Sequence, residues 1–204
     1  MRFYKEIGDI YRLKVPFDGD VYTSVFLIKM PRVNIIVDCA TTDKDVESYI
    51  VPALKDIGIA LNDVDYLVIT HQHRDHAGGK QKLLERCSKA RVITKENCLN
   101  IDGISLYQLN GHTLDCIGLL EEKTGTLITG DALQGAGVGK YRCSLKDKEE
   151  YVRTIERIRK DNRINNLLFS HAYEPWCKDG VFGREETIKC LQDCLSILNK
   201  GEIK

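Results

Sequence analysis

The chain has 204 residues, 43% hydrophobic and 29% charged, enough to bury one full core but cramped for two large ones. Thirty basic residues balance thirty acidic ones, so neither duplex nucleic acid nor an anionic membrane is expected as a partner. The apolar runs are too short to span a bilayer, and the opening Met-Arg-Phe-Tyr-Lys-Glu-Ile lacks the apolar stretch of a secretory leader; a single cytoplasmic domain over residues 1–204 is expected.

Strand-like patterns come first. Tyr11, Leu13 and Val15 alternate with Arg12 and Lys14, which predicts a half-buried strand with the two basic residues facing out. Denser apolar runs at 25–30 and 35–37 predict strands covered on both faces. The period then changes. Val46, Tyr49, Ile50, Ala53, Leu54 and Ile57 fall on one helical face, with Thr42 or Asp43 as N-cap and Gly58 as stop. Pro52 lies off that face and is expected to kink the helix. Residues 66–70 read as a buried strand, 80–86 as a short helix and 91–94 as another strand. Short strands follow from 104 to 129, broken at Gly111 and at 123–125. Asp147-Lys-Glu-Glu150 resembles a capping box, with Val152, Ile155 and Ile158 continuing a helix behind it. A strand at 166–170 precedes a final amphipathic helix through Ile188, Leu191, Cys194, Leu195 and Leu198, which ends at Gly201. Strands dominate each half and helices close it, so packed sheets with helices outside are expected.

The eight cysteines, at 39, 87, 98, 116, 143, 177, 190 and 194, form no C-x-x-C pair. Reduced, buried thiols without a chemical role are expected, Cys190 and Cys194 among them as small core residues.

The five histidines carry more information. Three lie in His71-Gln-His73-Arg-Asp75-His76, and the others are His112 and His171. His71, His112, Asp131 and His171 each follow the end of an apolar run, where a rigid scaffold presents binding groups. In an extended segment His71 and His73 point the same way. Asp75 and His76 lie at the turn into Gly78-Gly79, where they can face a second position. Imidazoles with carboxylates suit zinc, and also iron or manganese, and the arrangement points to two adjacent metals.

The segment Thr70-His-Gln-His-Arg-Asp-His-Ala-Gly-Gly79 resembles the signature of the metallo-β-lactamase-fold hydrolases. Gly111-His112-Thr113, Ile128-Thr-Gly-Asp131, Ser170-His171 and the early Ile36-Val-Asp38 resemble the family's other motifs in order and spacing. The resemblance implies an α/β protein, an αββα sandwich with the metals at one edge of the sheets. It assigns His71, His73 and His112 to a first metal, Asp75, His76 and His171 to a second, and Asp131 as the bridge. Two zinc ions per chain are implied, with a metal-bridging hydroxide as nucleophile. Asp75 is also implied as the catalytic residue that orients it.

Among relatives, the glyoxalase II-like thioesterase and lactonase branch shares all seven ligand types, although only about thirty residues follow His171 here, too few for that branch's C-terminal helical extension. Leu114-Asp115 stands where Pro-Gly is usual. Asp131 takes the place of the cysteine ligand of some zinc β-lactamases, which disfavours antibiotic hydrolysis. The expected reaction is hydrolysis of a small ester, thioester or lactone. The alternatives are a mononuclear iron persulfide dioxygenase-like oxidoreductase and a non-catalytic metal-binding protein. Tyr141, beside the glycine-rich stretch 135–139, and Tyr173, with Trp176, are candidates to line a small-molecule pocket.

Overall fold

The computed structural model describes residues 1–96, 101–134, 145–173 and 178–199. The chain divides into two compact units, Met1–Asn97 and Cys98–Lys204, each with its own sheet and its own apolar cluster.

The first unit holds a six-stranded sheet whose strands lie side by side in chain order: β1 (Tyr4–Ile7), β2 (Ile10–Asp18), β3 (Val21–Lys29), β4 (Asn34–Val37), β5 (Tyr66–Val68) and β6 (Arg91–Ile93). The first four are antiparallel; β4, β5 and β6 run parallel, joined by helical crossovers. Leu13, Val15, Val25, Leu27, Ile36 and Leu67 pack with Val46, Ile50, Leu54 and Leu83 of the helices. Phe26, Ile28, Ile35 and Val37 are fully buried as well, so β3 and β4 are covered on both faces as their unbroken apolar runs require.

One local expectation gives way. Arg12 does not face out: its side chain is wholly buried, pairing with Glu6 at 2.5 Å, donating to Ser24 Oγ at 2.9 Å and lying over the Phe26 ring at 4.7 Å. Alternation assigned it to solvent, but ion pairing, a hydrogen bond and cation–π contact together replace its hydration. Around Pro52 the helix is interrupted. Thr42 caps α1 (Asp43–Asp45) by accepting from the Asp45 N–H. The chain then widens into a π-helical turn, Val46–Ile50, before α2 (Val51–Asp56), so that Pro52 falls in the first turn of a new helical segment. There a missing N–H costs nothing. Gly58, at φ 76°, ends the run.

The second unit holds five strands, again in chain order: β7 (Ile104–Gln108), β8 (Ile117–Glu121), β9 (Thr126–Ile128), β10 (Asn166–Leu168) and β11 (Gly180–Val181). Only β9 and β10 are parallel. The crossover between them carries helix α5 (Lys148–Lys160), and helix α6 (Arg184–Asn199) follows β11; α3 and α4 belong to the first unit and are placed below. Asp147 caps α5 by accepting from the Glu150 N–H, but the capping box is only half made, because Asp147 N–H donates to Gly111 O instead. The buried stripe is Tyr151, Thr154, Ile155 and Ile158, with Val152 only partly covered. On α6, Thr187, Cys190, Leu191, Cys194 and Leu198 face the core. The expected helix end at Gly201 lies outside the described residues. Among the described residues, Cys39, Cys87, Cys116, Cys190 and Cys194 are buried and outside any disulfide, and no helix is long and apolar enough to cross a membrane.

Candidate metal centre

In the first unit the polar groups gather where β4 and β5 end. The two strands are parallel with Val37 beside Val68, so the residues that leave them emerge at one edge. Asp38, fully buried, accepts from the Thr70 N–H at 2.8 Å through Oδ1. Its Oδ2 accepts from Thr70 Oγ1 at 2.8 Å and from His76 Nδ1 at 2.7 Å. Thr70 Oγ1 also lies 3.1 Å from His71 Nδ1. A hydroxyl has one hydrogen, and here it goes to Asp38, so His71 Nδ1–H must donate to Thr70. Both His71 and His76 therefore carry their proton on Nδ1 and present the lone pair of Nε2. Outer hydrogen bonds of this kind fix the tautomer of metal-binding imidazoles.

Those Nε2 atoms meet the remaining candidates of the same unit. His71 Nε2 lies 3.0 Å from His73 Nδ1, and His76 Nε2 lies 3.3 Å from Asp75 Oδ2. Arg74, Asp75 and His76 sit on a single helical turn, α3 (Arg74–Ala77), that begins earlier than Gly78-Gly79 suggested. Helix α4 (Lys80–Arg86) follows at once. The glycines serve packing instead. A Cβ on Gly78 would lie 2.0 Å from Thr41 O, and one on Gly79 2.3 Å from Cys39 O. Hydrogen bonds from Cys39 N–H to His76 O at 2.8 Å and from Gly79 N–H to Ala40 O at 3.3 Å clasp the two segments. Asp38 and Ala40 adopt φ of 64° and 61°, a left-handed backbone that costs non-glycine residues about 1–2 kcal/mol each and that clusters at functional sites.

The second unit repeats the device. In the parallel pair β9–β10, Ile128 lies beside Leu168, and three residues beyond each come Asp131 and His171. His171 Nε2 lies 3.2 Å from Asp131 Oδ1. Thr129 N–H donates to Leu168 O at 2.9 Å, and Gly130 turns the chain at φ 56°. His112, 2% exposed, follows Gly111, whose φ of 135° and contact with Tyr151 leave no room for a side chain. Gly111 O accepts from Lys146 and Asp147 at 2.8 and 3.2 Å, which ties the His112 turn to the start of α5. Thr113 Oγ1 and Cys116 Sγ lie 2.9 Å apart.

All seven candidate ligands are thus described, and all but the half-buried His73 are buried. Within the first unit the ligand atoms of His71 and His73, and those of Asp75 and His76, lie within 4.8 Å of one another, as do those of Asp131 and His171 within the second. Such a set of buried imidazole nitrogens and carboxylate oxygens, aimed at one another, fits divalent metals. Tyr173 lies beside the metal candidates, its ring 5.0 Å from the His171 ring. Tyr141, Trp176 and the stretch 135–139 lie outside the described residues. Sequence reading gave no role to Asp38, Thr70 or Thr23. Asp38 carried the same signal as the ligands, a polar residue ending an apolar run; Thr23 carried none.

Comparison with known proteins agrees. The family model of the metallo-beta-lactamase superfamily matches residues 18–101. A hydroxyacylglutathione hydrolase of Psychromonas ingrahamii is 27% identical over 141 residues, 55% of this chain and 53% of the relative; the chain spans about half the length of the curated relatives it matches. Among solved structures, the metallo-beta-lactamase FIM-1 from Pseudomonas aeruginosa in its mono-zinc form superposes with a TM-score of 0.71 at 16% identity, over 99% of this chain and 96% of that one. Rubredoxin oxygen:oxidoreductase from Desulfovibrio gigas reaches 0.69 at 15% identity, over 97% of this chain and 62% of that one. At such identities the likeness shows the fold, and it is the αββα fold that the motifs implied. The family model spans the Thr70–Gly79 motif and the hydroxyacylglutathione hydrolases align at low identity, so the chain resembles the metallo-beta-lactamase superfamily over residues 18–101 and shares its fold.

Proposed function

We propose that the protein is a dinuclear zinc-dependent hydrolase of a small ester, thioester or lactone, nearest in kind to the glyoxalase II-like branch. One observation carries this reading: the Asp38–Thr70 pair sets the tautomers of both His71 and His76 so that each presents Nε2 beside a second ligand atom. An imidazole that merely fills a core needs no such preparation. In this reading His71, His73 and His112 would hold one ion and Asp75, His76 and His171 the other, with Asp131 available to both. Two such ions would supply Lewis acidity and lower the pKa of water from 15.7 towards roughly 7. Asp75 orients the attacking water and carries its proton to the leaving group. Tyr173, packed on His171, and Tyr141 line the path of the substrate. The buried thiols of the described residues, outside any disulfide, suit a reducing compartment such as the cytoplasm.

Elemental analysis of protein made in medium containing zinc and iron tests the metal. About two zincs per chain supports the hydrolase and leads to ester, thioester and lactone panels. About one iron with little zinc overturns it in favour of the persulfide dioxygenase reading. Asp131→Ala should lower zinc content and hydrolysis together, and retention of both would refute its shared role.

A further inference from the structure

Thr23 is 1% exposed and sits on β3 directly opposite Val15, on the face that also presents Val25 and Leu27 to the apolar cluster of the first unit. A valine would fill that place with the same shape, and strands favour it. A buried hydroxyl there loses its water and must find a partner inside. The partner is Asp75: Thr23 Oγ1 donates to Asp75 Oδ2 at 3.3 Å.

Asp75 needs such support. It lies on the four-residue α3, too short a helix to hold a side chain by its own stiffness. Its Oδ2 is also the oxygen 3.3 Å from His76 Nε2. Rotation of the carboxylate would swap which oxygen faces His76, and Asp38 already fixes the ring on the far side through Nδ1. β3 is paired with β2 from Val21 to Ile28 and with β4 from Phe26 to Lys29, so the hydroxyl comes from a strand built into the sheet rather than from a loop. We propose that Thr23 is a positioning residue: its hydroxyl locks the rotation of the Asp75 carboxylate and so sets the ligand geometry of the metal that Asp75 and His76 share. The inference rests on the metal-site reading above.

The test compares zinc affinities of wild type, Thr23→Val and Thr23→Ser by competition with a chromophoric chelator, alongside thermal unfolding of each metal-free chain. Loss of an outer hydrogen bond to a ligand weakens metal binding by about 10–100-fold. Thr23→Val should therefore bind one zinc at least about tenfold less tightly, while the other stays within about twofold. Thr23→Ser, which restores the hydroxyl, should recover most of the loss. Unfolding of metal-free Thr23→Val should be unchanged or slightly higher, since the apolar packing is kept. Wild-type affinities in Thr23→Val overturn the proposal, as does equal weakening of both zincs with a lowered unfolding midpoint, which marks a merely structural residue. Failure of the wild type itself to bind two zincs overturns the metal-site reading and this inference with it, and is told apart because it precedes any substitution.

Discussion

Asp38→Asn is the most informative single change, because it keeps shape and removes only one charge and one acceptor. The carboxylate accepts three hydrogen bonds, one through Oδ1 and two through Oδ2. An amide turned with its oxygen towards the Thr70 N–H places NH2 where Oδ2 was, facing His76 Nδ1–H and the Thr70 hydroxyl. Donor would then meet donor. The conflict is relieved if His76 moves its proton to Nε2, and if Thr70 turns its hydrogen towards His71 Nδ1, pushing the proton of that ring to Nε2 as well. Turned the other way, the NH2 group faces the Thr70 N–H, which has no such escape.

The relaxed fold thus loses little, about 1–3 kcal/mol for the charge-assisted bonds exchanged for neutral ones. Both ligand lone pairs, however, are now protonated. Zinc affinity should fall by about 10–100-fold, or about 1.4–2.7 kcal/mol. Urea unfolding of the metal-free chain measures the first quantity and chelator competition the second, while long-range nitrogen–proton NMR of the imidazoles reads the tautomers directly. Wild-type zinc affinity with Nδ1–H on both rings would refute the reasoning.

Two further outcomes follow from packing and burial. Gly78→Ala drives a methyl group into the backbone of Thr41, whose carbonyl oxygen lies 2.0 Å from the new atom. The clasp must open at a cost of about 2–3 kcal/mol or more, visible as a lower urea midpoint; an unchanged midpoint would show that the two segments yield freely. Burial pushes the Cys116 thiol up from the usual 9.0 to about 11, against the lowering effect of its Thr113 hydrogen bond. Below pH 9 the thiol is protonated in both states and its contribution is complete. Between pH 9 and 11 it ionises in the unfolded chain first, so stability falls as pH rises, by about 3 kcal/mol over the window. Cys116→Ala should flatten the pH dependence of urea unfolding between pH 8.5 and 10.5, and equal slopes in both proteins would sink the assignment.

Much of this was legible in the sequence because apolar runs and the polar residues that end them are local signals. The apolar runs at 25–30, 35–37 and 66–70 mark where β3, β4 and β5 form, helix α4 lies where it is expected, and His71, His112, Asp131 and His171 end such runs, while His73, Asp75 and His76 stand out as a cluster. What escaped depends on partners distant in the chain. Arg12 reads as an outward residue until Glu6, Ser24 and Phe26 surround it. Pro52 marks a disturbance of the helix, but the π-helical turn ahead of it has no local signal. Glu150 reads as half of a capping box until Gly111 O takes the N–H it would have capped. Thr23 is one more β-branched residue in a strand until Asp75, fifty-two positions later, reaches its hydroxyl.

The order of the strands has a consequence in time. Both sheets are laid down strictly in chain order, with every strand hydrogen-bonded to the strand made just before it, and neither needs a strand from the other unit. During synthesis the first ninety-odd residues can form their sheet before the second unit has left the ribosome, since domains fold as units from the N-terminus onwards. That early half already carries His71, His73, Asp75 and His76 with their Asp38 and Thr70 supports in place. It could take up an ion while lacking His112, Asp131 and His171. On the proposed assignment of the ligands, an ion bound to that half would have only part of its ligand set and would exchange more readily than one bound to the complete chain.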